Sequence, residues 1–71
     1  MQIHSSAIVS KKAKLADDIQ IGPYAIIGDN VTIGKAVKIG SACVIEGNTS
    51  IGDGCEIFSG AIIGSRPPVN R

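Results

Sequence analysis

The side chains best suited to acid–base or metal chemistry in this 71-residue chain are one imidazole, His4, and two thiols, Cys43 and Cys55. A general base must reach the proton that it removes, and imidazole is the side chain most often used for that task. A catalytic zinc ion of the carbonic anhydrase type is held by three imidazoles. One histidine cannot supply such a site, and we predict that His4 occupies an exposed position. The sequence therefore predicts no catalytic residue and no metal site.

The elements that position these residues follow a repeat of six. A branched aliphatic residue, here called the anchor, recurs without interruption at Ile3, Val9, Leu15, Ile21, Ile27, Ile33, Ile39, Ile45, Ile51, Ile57, Ile63 and Val69. Residues six apart on a helix lie about 240° apart around its axis, whereas six is a multiple of the two-residue strand period. From Ala7 onward, the residues two positions before the anchors are small or β-branched, and Cys43 and Cys55 belong to this class. We predict that both cysteines point inward as small buried hydrophobic residues.

The residues after each anchor predict a corner. Glycine follows six of the anchors, at Gly22, Gly28, Gly34, Gly40, Gly52 and Gly64. Three residues after an anchor come Asp18, Asn30, Asn48, Gly54 and Gly60, which are residue types that tolerate a positive φ. Each hexad is thus a short strand and a corner. Such a unit cannot bury its inner face alone, so the hexads must coil and stack as an all-β solenoid.

The outward residue before each anchor indicates three faces per coil. Every third hexad carries an aliphatic residue there, and these are Ile8, Ile26, Val44 and Ile62. The other two columns are Lys14, Thr32, Ser50 and Pro68, then Gln20, Lys38 and Glu56. A recurrence at eighteen predicts a triangular prism of about four coils, roughly 19 Å tall at the spacing of stacked strands.

The four aliphatic residues of the first column would form a continuous apolar ridge. Isolated aliphatic residues on a surface need no explanation, but a contiguous apolar surface usually marks a contact. We predict that Ile8, Ile26, Val44 and Ile62 lie at the interface of a symmetric trimer, with Tyr24 and Phe58 as neighbours.

Composition narrows the class of protein. Seven basic and six acidic side chains give a net charge of +1, which argues against a nucleic-acid-binding surface. The N-terminus has no basic-then-apolar signal segment, and no apolar run approaches the ~20 residues of a membrane-spanning helix. These features predict one soluble, cytoplasmic domain over residues 1–71, with no nucleic-acid or membrane partner.

The hexad pattern resembles that of the hexapeptide-repeat acyltransferase superfamily, whose fold is a left-handed parallel β-helix. The ordered segments are most similar to the N-terminal coils of acyl-carrier-protein-dependent UDP-N-acetylglucosamine O-acyltransferase, an enzyme of lipid A synthesis. Residues 3–9 (IHSSAIV) are similar to that family's opening IHPTAIV, and residues 21–28 (IGPYAIIG) to its IGPFCVIG. Residues 44–52 and 57–64 continue the match in order. Left-handedness is implied by the resemblance alone, because the general rule for crossovers favours right-handed connections.

The resemblance implies a homotrimer without a cofactor, with acyl carrier protein as the acyl donor and a UDP-sugar as the acceptor in a full enzyme. The family's catalytic histidine lies on later coils, and His4 aligns with the family's opening histidine instead. A substrate-contacting loop of the family aligns with residues 68–71, where only Arg71 keeps a matching charge. We therefore expect this chain to be inactive in acyl transfer by itself.

Three functions stay open at this stage. The chain could be the N-terminal part of a longer lipid A-type acyltransferase, which is the function that the resemblance favours. It could instead be a free-standing, non-catalytic trimeric scaffold. A segment of another hexapeptide transferase or of a nucleotidyltransferase is a third reading, which the ordered matches disfavour.

Overall fold

Each aliphatic anchor from Ile3 to Ile63 is the last residue of a short strand in the computed structural model, which describes residues 1–64. Eleven strands of two or three residues follow one another: β1 (Gln2–Ile3), β2 (Ile8–Val9), β3 (Lys14–Leu15), β4 (Gln20–Ile21), β5 (Ile26–Ile27), β6 (Val31–Ile33), β7 (Lys38–Ile39), β8 (Val44–Ile45), β9 (Thr49–Ile51), β10 (Glu56–Ile57) and β11 (Ile62–Ile63). The strand bounds confirm the hexad as the structural unit.

Three parallel sheets form the faces of the prism. Sheet A has the order β1-β4-β7-β10, sheet B has β2-β5-β8-β11, and sheet C has β3-β6-β9. Every strand pairs with the strand eighteen residues away, as in the pairs Ile8↔Ile26 and Thr32↔Ser50. The chain is a left-handed parallel β-helix, as predicted.

The described residues make three complete coils and two strands of a fourth, slightly fewer than the predicted four coils. The anchor Val69 and the outward Pro68, which would belong to the next strand, lie outside the described residues. The prediction that residues 1–71 are one domain within a longer architecture stays a prediction. No helix of the described chain has the length and hydrophobicity that a bilayer crossing requires.

The core consists of the inward residues of the middle coils. Eleven hydrophobic side chains of residues 1–64 are buried: Ile19, Ile21, Ala25, Ile27, Val31, Ile33, Val37, Ile39, Cys43, Ile45 and Ile51. Cys43 is completely buried, but the prediction for Cys55 was wrong, because its side chain is exposed. Cys55 begins the fourth coil, and no described coil stacks above it.

The corners differ from the prediction in which residues take a positive φ. Gly54 and Gly60 do so, but at the equivalent position three residues after an anchor the structure has Tyr24, Ala36 and Ala42, with φ of 61°, 57° and 56°. Asp18, Asn30 and Asn48 are not among the positive-φ residues. Asp18 instead accepts a hydrogen bond of 2.9 Å from the backbone N–H of Ala36, which lies in the next coil. Polar corner residues therefore serve to join neighbouring coils.

The glycines after the anchors permit close approach of stacked corners. A Cβ on Gly40 would lie 2.7 Å from the backbone nitrogen of Ser59, which is closer than real Cβ atoms come to other atoms. The backbone N–H of Ser41 donates to the hydroxyl of Ser59 at 3.0 Å in the same corner. Glycine at this position thus lets one coil rest directly on the next.

Candidate functional site

The apolar ridge predicted from the sequence lies on the outer face of sheet B. Its members Ile8, Ile26, Val44 and Ile62 occupy one register column across four neighbouring strands. The exposed fractions of Ile8 and Ile62 are 66% and 65%, that of Ile26 is 40%, and Val44 is half-buried. The structure therefore brings together all four side chains on one surface. Their role in an interface stays a prediction.

Two aromatic residues extend from the corner between sheets A and B. Tyr24 and Phe58 are 72% and 76% exposed, and each lies on the corner that leads into a strand of sheet B. Exposed aromatic rings bury a large area when they enter a contact, so they are common at interfaces. The corner positions are consistent with the predicted proximity of both rings to the ridge.

The same corner in the first coil contains His4, whose imidazole forms hydrogen bonds with Ser6 two residues away. Its Nδ1 accepts the backbone N–H of Ser6 at 3.1 Å and lies 2.8 Å from the Ser6 hydroxyl. The Ser6 oxygen in turn accepts the backbone N–H of Tyr24 at 3.0 Å. Because Nδ1 accepts from the backbone, the Ser6 hydroxyl must donate to it. These hydrogen bonds fix the corner and join the first coil to the second.

A cavity of about 560 Å³ opens beside His4. Its lining also includes Met1, Ile3, Gln20 and Pro23, and no carboxylate takes part in it. A histidine that acts as a general base is usually oriented by a partner that accepts its second N–H. The lining offers no acidic partner for such a role. Within residues 1–64, no three His, Cys, Asp or Glu side chains converge into a metal site.

The sequence prediction treated Asn30 and Asn48 as corner residues only, and it expected no site at the corner between sheets B and C. Lys12, Asn30 and Asn48 are eighteen residues apart and line one groove there. The period of eighteen that located the ridge could also have located this set, because equivalent corner positions stack as the strands do.

Comparison with known proteins identifies the family. The family model described as the GMPPB C-terminal domain matches residues 3–71. The chain belongs to this family. A search among curated protein sequences gives no match.

Solved structures place the chain among hexapeptide-repeat proteins. UDP-N-acetylglucosamine acyltransferase from Campylobacter jejuni superimposes with a TM-score of 0.93 at 38% identity, over 97% of this chain and 27% of that one. LpxA from Acinetobacter baumannii superimposes with a TM-score of 0.79 at 51% identity, over 83% of this chain and 23% of that one. The chain thus spans about a quarter of the length of either structure. The resemblance to these acyltransferases, drawn above from ordered segments, is confirmed.

Proposed function

We propose that this chain is the assembly segment of a hexapeptide-repeat transferase, and that it holds subunits together as a homotrimer through the ridge on sheet B. The observation that carries the proposal is the register column of four aliphatic side chains on an outer face. In the middle two coils, the same outward position on sheets A and C holds Gln20, Lys38, Thr32 and Ser50. In these two coils, sheet B is therefore the face whose outward column is apolar.

The exposed area of the ridge supports a contact energetically. Full burial of an isoleucine side chain contributes about 1.5–3 kcal/mol. Ile8 and Ile62 still expose about two thirds of their surface, so each has most of that contribution to gain. Summed over the ridge, this amounts to several kcal/mol for each chain, before the cost of association. A closed ring of three copies would cover every ridge and leave none to bind further molecules.

We further propose that the segment carries out no acyl transfer by itself. His4, the one histidine of the sequence, is exposed, and its Nδ1 accepts a hydrogen bond from the backbone of Ser6 in the same corner. Acyl carrier protein and a UDP-sugar are then partners of a full enzyme rather than of this segment. The proposal requires no cofactor, and it includes the cytoplasmic location expected from the sequence.

The assembly proposal is tested by measuring molecular mass with light scattering. The unmodified chain should have three times the 7.3 kDa mass of one chain. The double variant Ile26→Lys, Val44→Lys should fall to the monomer mass, because it places two ammonium groups in the ridge. The matched control is Thr32→Lys, Ser50→Lys, which adds the same charges at the equivalent outward positions of the same two coils on sheet C. If both variants keep the mass of the unmodified chain, the ridge is not the interface.

The role within a transferase is tested with a chimera. Replacing the matching segment of the Campylobacter jejuni acyltransferase by this chain should keep acyl transfer within about tenfold of the parent enzyme, because 97% of the chain superimposes on it. The isolated chain, given the same substrates, should form no product. A folded chimera of the parent's mass that is inactive would contradict the assignment to this class of transferase. Product formed by the isolated chain would contradict the proposed inactivity.

A further inference from the structure

A groove runs along the corner between sheets B and C, on the opposite side of sheet B from the two aromatic residues. Its volume is about 240 Å³. We call it the basic groove, because two lysines line it. The lining residues are Lys12, Lys14, Asp29, Asn30, Val31, Thr32 and Asn48. Lys14 and Thr32 are register partners on neighbouring strands of sheet C. The groove therefore crosses three coils.

Charge is distributed unevenly around the first coil. Lys11, Lys12 and Lys14, three of the five lysines of residues 1–64, lie within four positions at this corner. The next corner of the same coil carries Asp17 and Asp18 instead. Lysine side chains this close together raise the local positive potential, because like charges add in the space that they share. Lys12 and Lys14 outnumber Asp29 in the lining of the basic groove, so the groove has a positive net charge.

Within residues 1–64, the hydrogen bonds around the groove leave the side-chain ends of its lysines and asparagines unengaged. Two hydrogen bonds hold its rim: the Ser10 hydroxyl donates to Asp29 Oδ1, and the backbone N–H of Lys12 donates to the Ser10 oxygen at 3.1 Å. These bonds involve neither the lysine ammonium groups nor the asparagine amides. The carboxylate of Asp29, which also lines the groove, is partly occupied, because one of its oxygens already accepts the Ser10 hydroxyl.

The donors of the groove fit one kind of chemical group. Two ammonium groups, two amide NH₂ groups and a hydroxyl offer hydrogen-bond donors on stacked coils. A ligand group that only accepts hydrogen bonds and carries negative charge would satisfy them best, and phosphate combines both properties in a compact tetrahedral shape. We propose that the basic groove binds a phosphate group, either free or as a monoester of a small molecule.

The proposal is tested by titrating the ¹⁵N-labelled chain with inorganic phosphate, and separately with glucose 1-phosphate, while sodium chloride keeps the ionic strength constant. Saturable shifts are expected at the side-chain amides of Asn30 and Asn48 and at the backbone amide of Lys12. Tighter binding of glucose 1-phosphate would identify the monoester as the preferred source, and equal or weaker binding would identify free phosphate. Either result supports the proposal.

Two variants separate a shaped site from general electrostatic attraction. Lys12→Ala, Lys14→Ala should weaken phosphate binding at least tenfold, and the neutral change Asn48→Ala should weaken it several-fold. The control Lys35→Ala, Lys38→Ala removes the same charge away from the groove and should leave the affinity within about twofold. Equal losses in both lysine variants would overturn the proposal, as would shifts reproduced by sodium chloride alone. The amide spectra themselves show that each variant is folded.

Discussion

Ile45 and Ile63 are the same residue type in the same column, one coil apart, and they are register partners in sheet B. Ile45 in the third coil is completely buried, whereas Ile63 in the fourth is only half-buried. The first coil shows the same contrast, because Ile3 is 38% exposed while its partner Ile21 is 3% exposed. An anchor is therefore buried by the coils above and below it rather than by its own hexad. The middle coils carry the stability, and the end coils depend on them.

The largest expected effect on stability comes from truncating Ile45 and Ile63 to alanine. Ile45→Ala should lower the free energy of unfolding by about 2–5 kcal/mol, because it leaves a cavity with neighbours on every side. Ile63→Ala should cost less than half as much, since water already reaches that side chain. Denaturant unfolding at one fixed protein concentration measures both. Equal losses would show that burial in the fourth coil is as complete as in the third.

The two cysteines test the same contrast without removing any packing. Cys43 is buried and its thiol lies 3.2 Å from the carbonyl oxygen of Phe58, whereas Cys55 is exposed. A thiol reagent should modify Cys55 at once and Cys43 at least about a hundredfold more slowly, because Cys43 reacts only after the coils separate. Cys55→Ser should abolish the fast phase, and Cys43→Ser the slow one. Two thiols that react at one rate would contradict the difference in burial.

Gly40 and Gly52 allow a corner that a described coil covers to be compared with one that no described coil covers. Gly40→Ala should destabilise the chain by about 1–3 kcal/mol, because its new Cβ would overlap the backbone of Ser59 in the coil above. Among residues 1–64, no atom lies within 4 Å of the Cβ that Gly52→Ala would add, and the change should be neutral or stabilising by up to about 1 kcal/mol. Thermal unfolding distinguishes these results. A destabilisation by Gly52→Ala as large as that by Gly40→Ala would contradict the difference between the two corners.

Much of the fold could be predicted because the hexad is set by local residue type. The anchors, the inward small residues and the outward columns all follow from strand alternation. Within residues 1–64, the strands place the anchors and the outward columns at the predicted positions. Cys55 was misplaced because the pattern states which way a side chain points, while its burial depends on a neighbour eighteen residues away. The basic groove was missed for a related reason, since its members are ordinary polar corner residues until stacking brings them together.

The sequence pattern predicted the positive φ of Gly54 and Gly60 but not that of the alanine corners. Alanine carries no signal for a left-handed conformation, yet Ala36 and Ala42 adopt it while Gly54 and Gly60 do so in later corners. The backbone N–H groups of Ala42 and Gly60 both donate to a carbonyl oxygen of the preceding coil, at 2.8 and 2.9 Å. In Ala42, this contact with the preceding coil stabilises a conformation that the residue type does not favour.

The smallest expected effect is a gain in stability. Ala36→Gly should stabilise the chain by about 0.5–1 kcal/mol, because glycine avoids the steric cost that alanine bears at a φ of 57°. Ala16→Gly is the control, since Ala16 has no positive φ and packs against the core. That change should cost about 0.5–1 kcal/mol. A loss of stability in Ala36→Gly, measured under the same conditions, would contradict the strain at this corner.

The unbroken register has a consequence for changes in chain length. The interior repeats every six residues, whereas the outer faces repeat every eighteen. Deleting one hexad would keep every later anchor inside, but it would rotate all later outer columns by one face and split the aliphatic column between two sheets. Duplicating a whole coil would instead move the two ends of the prism apart by one strand spacing, about 4.8 Å, with every face still aligned. The length of the solenoid can thus change in steps of one coil without a change in which residues share a face.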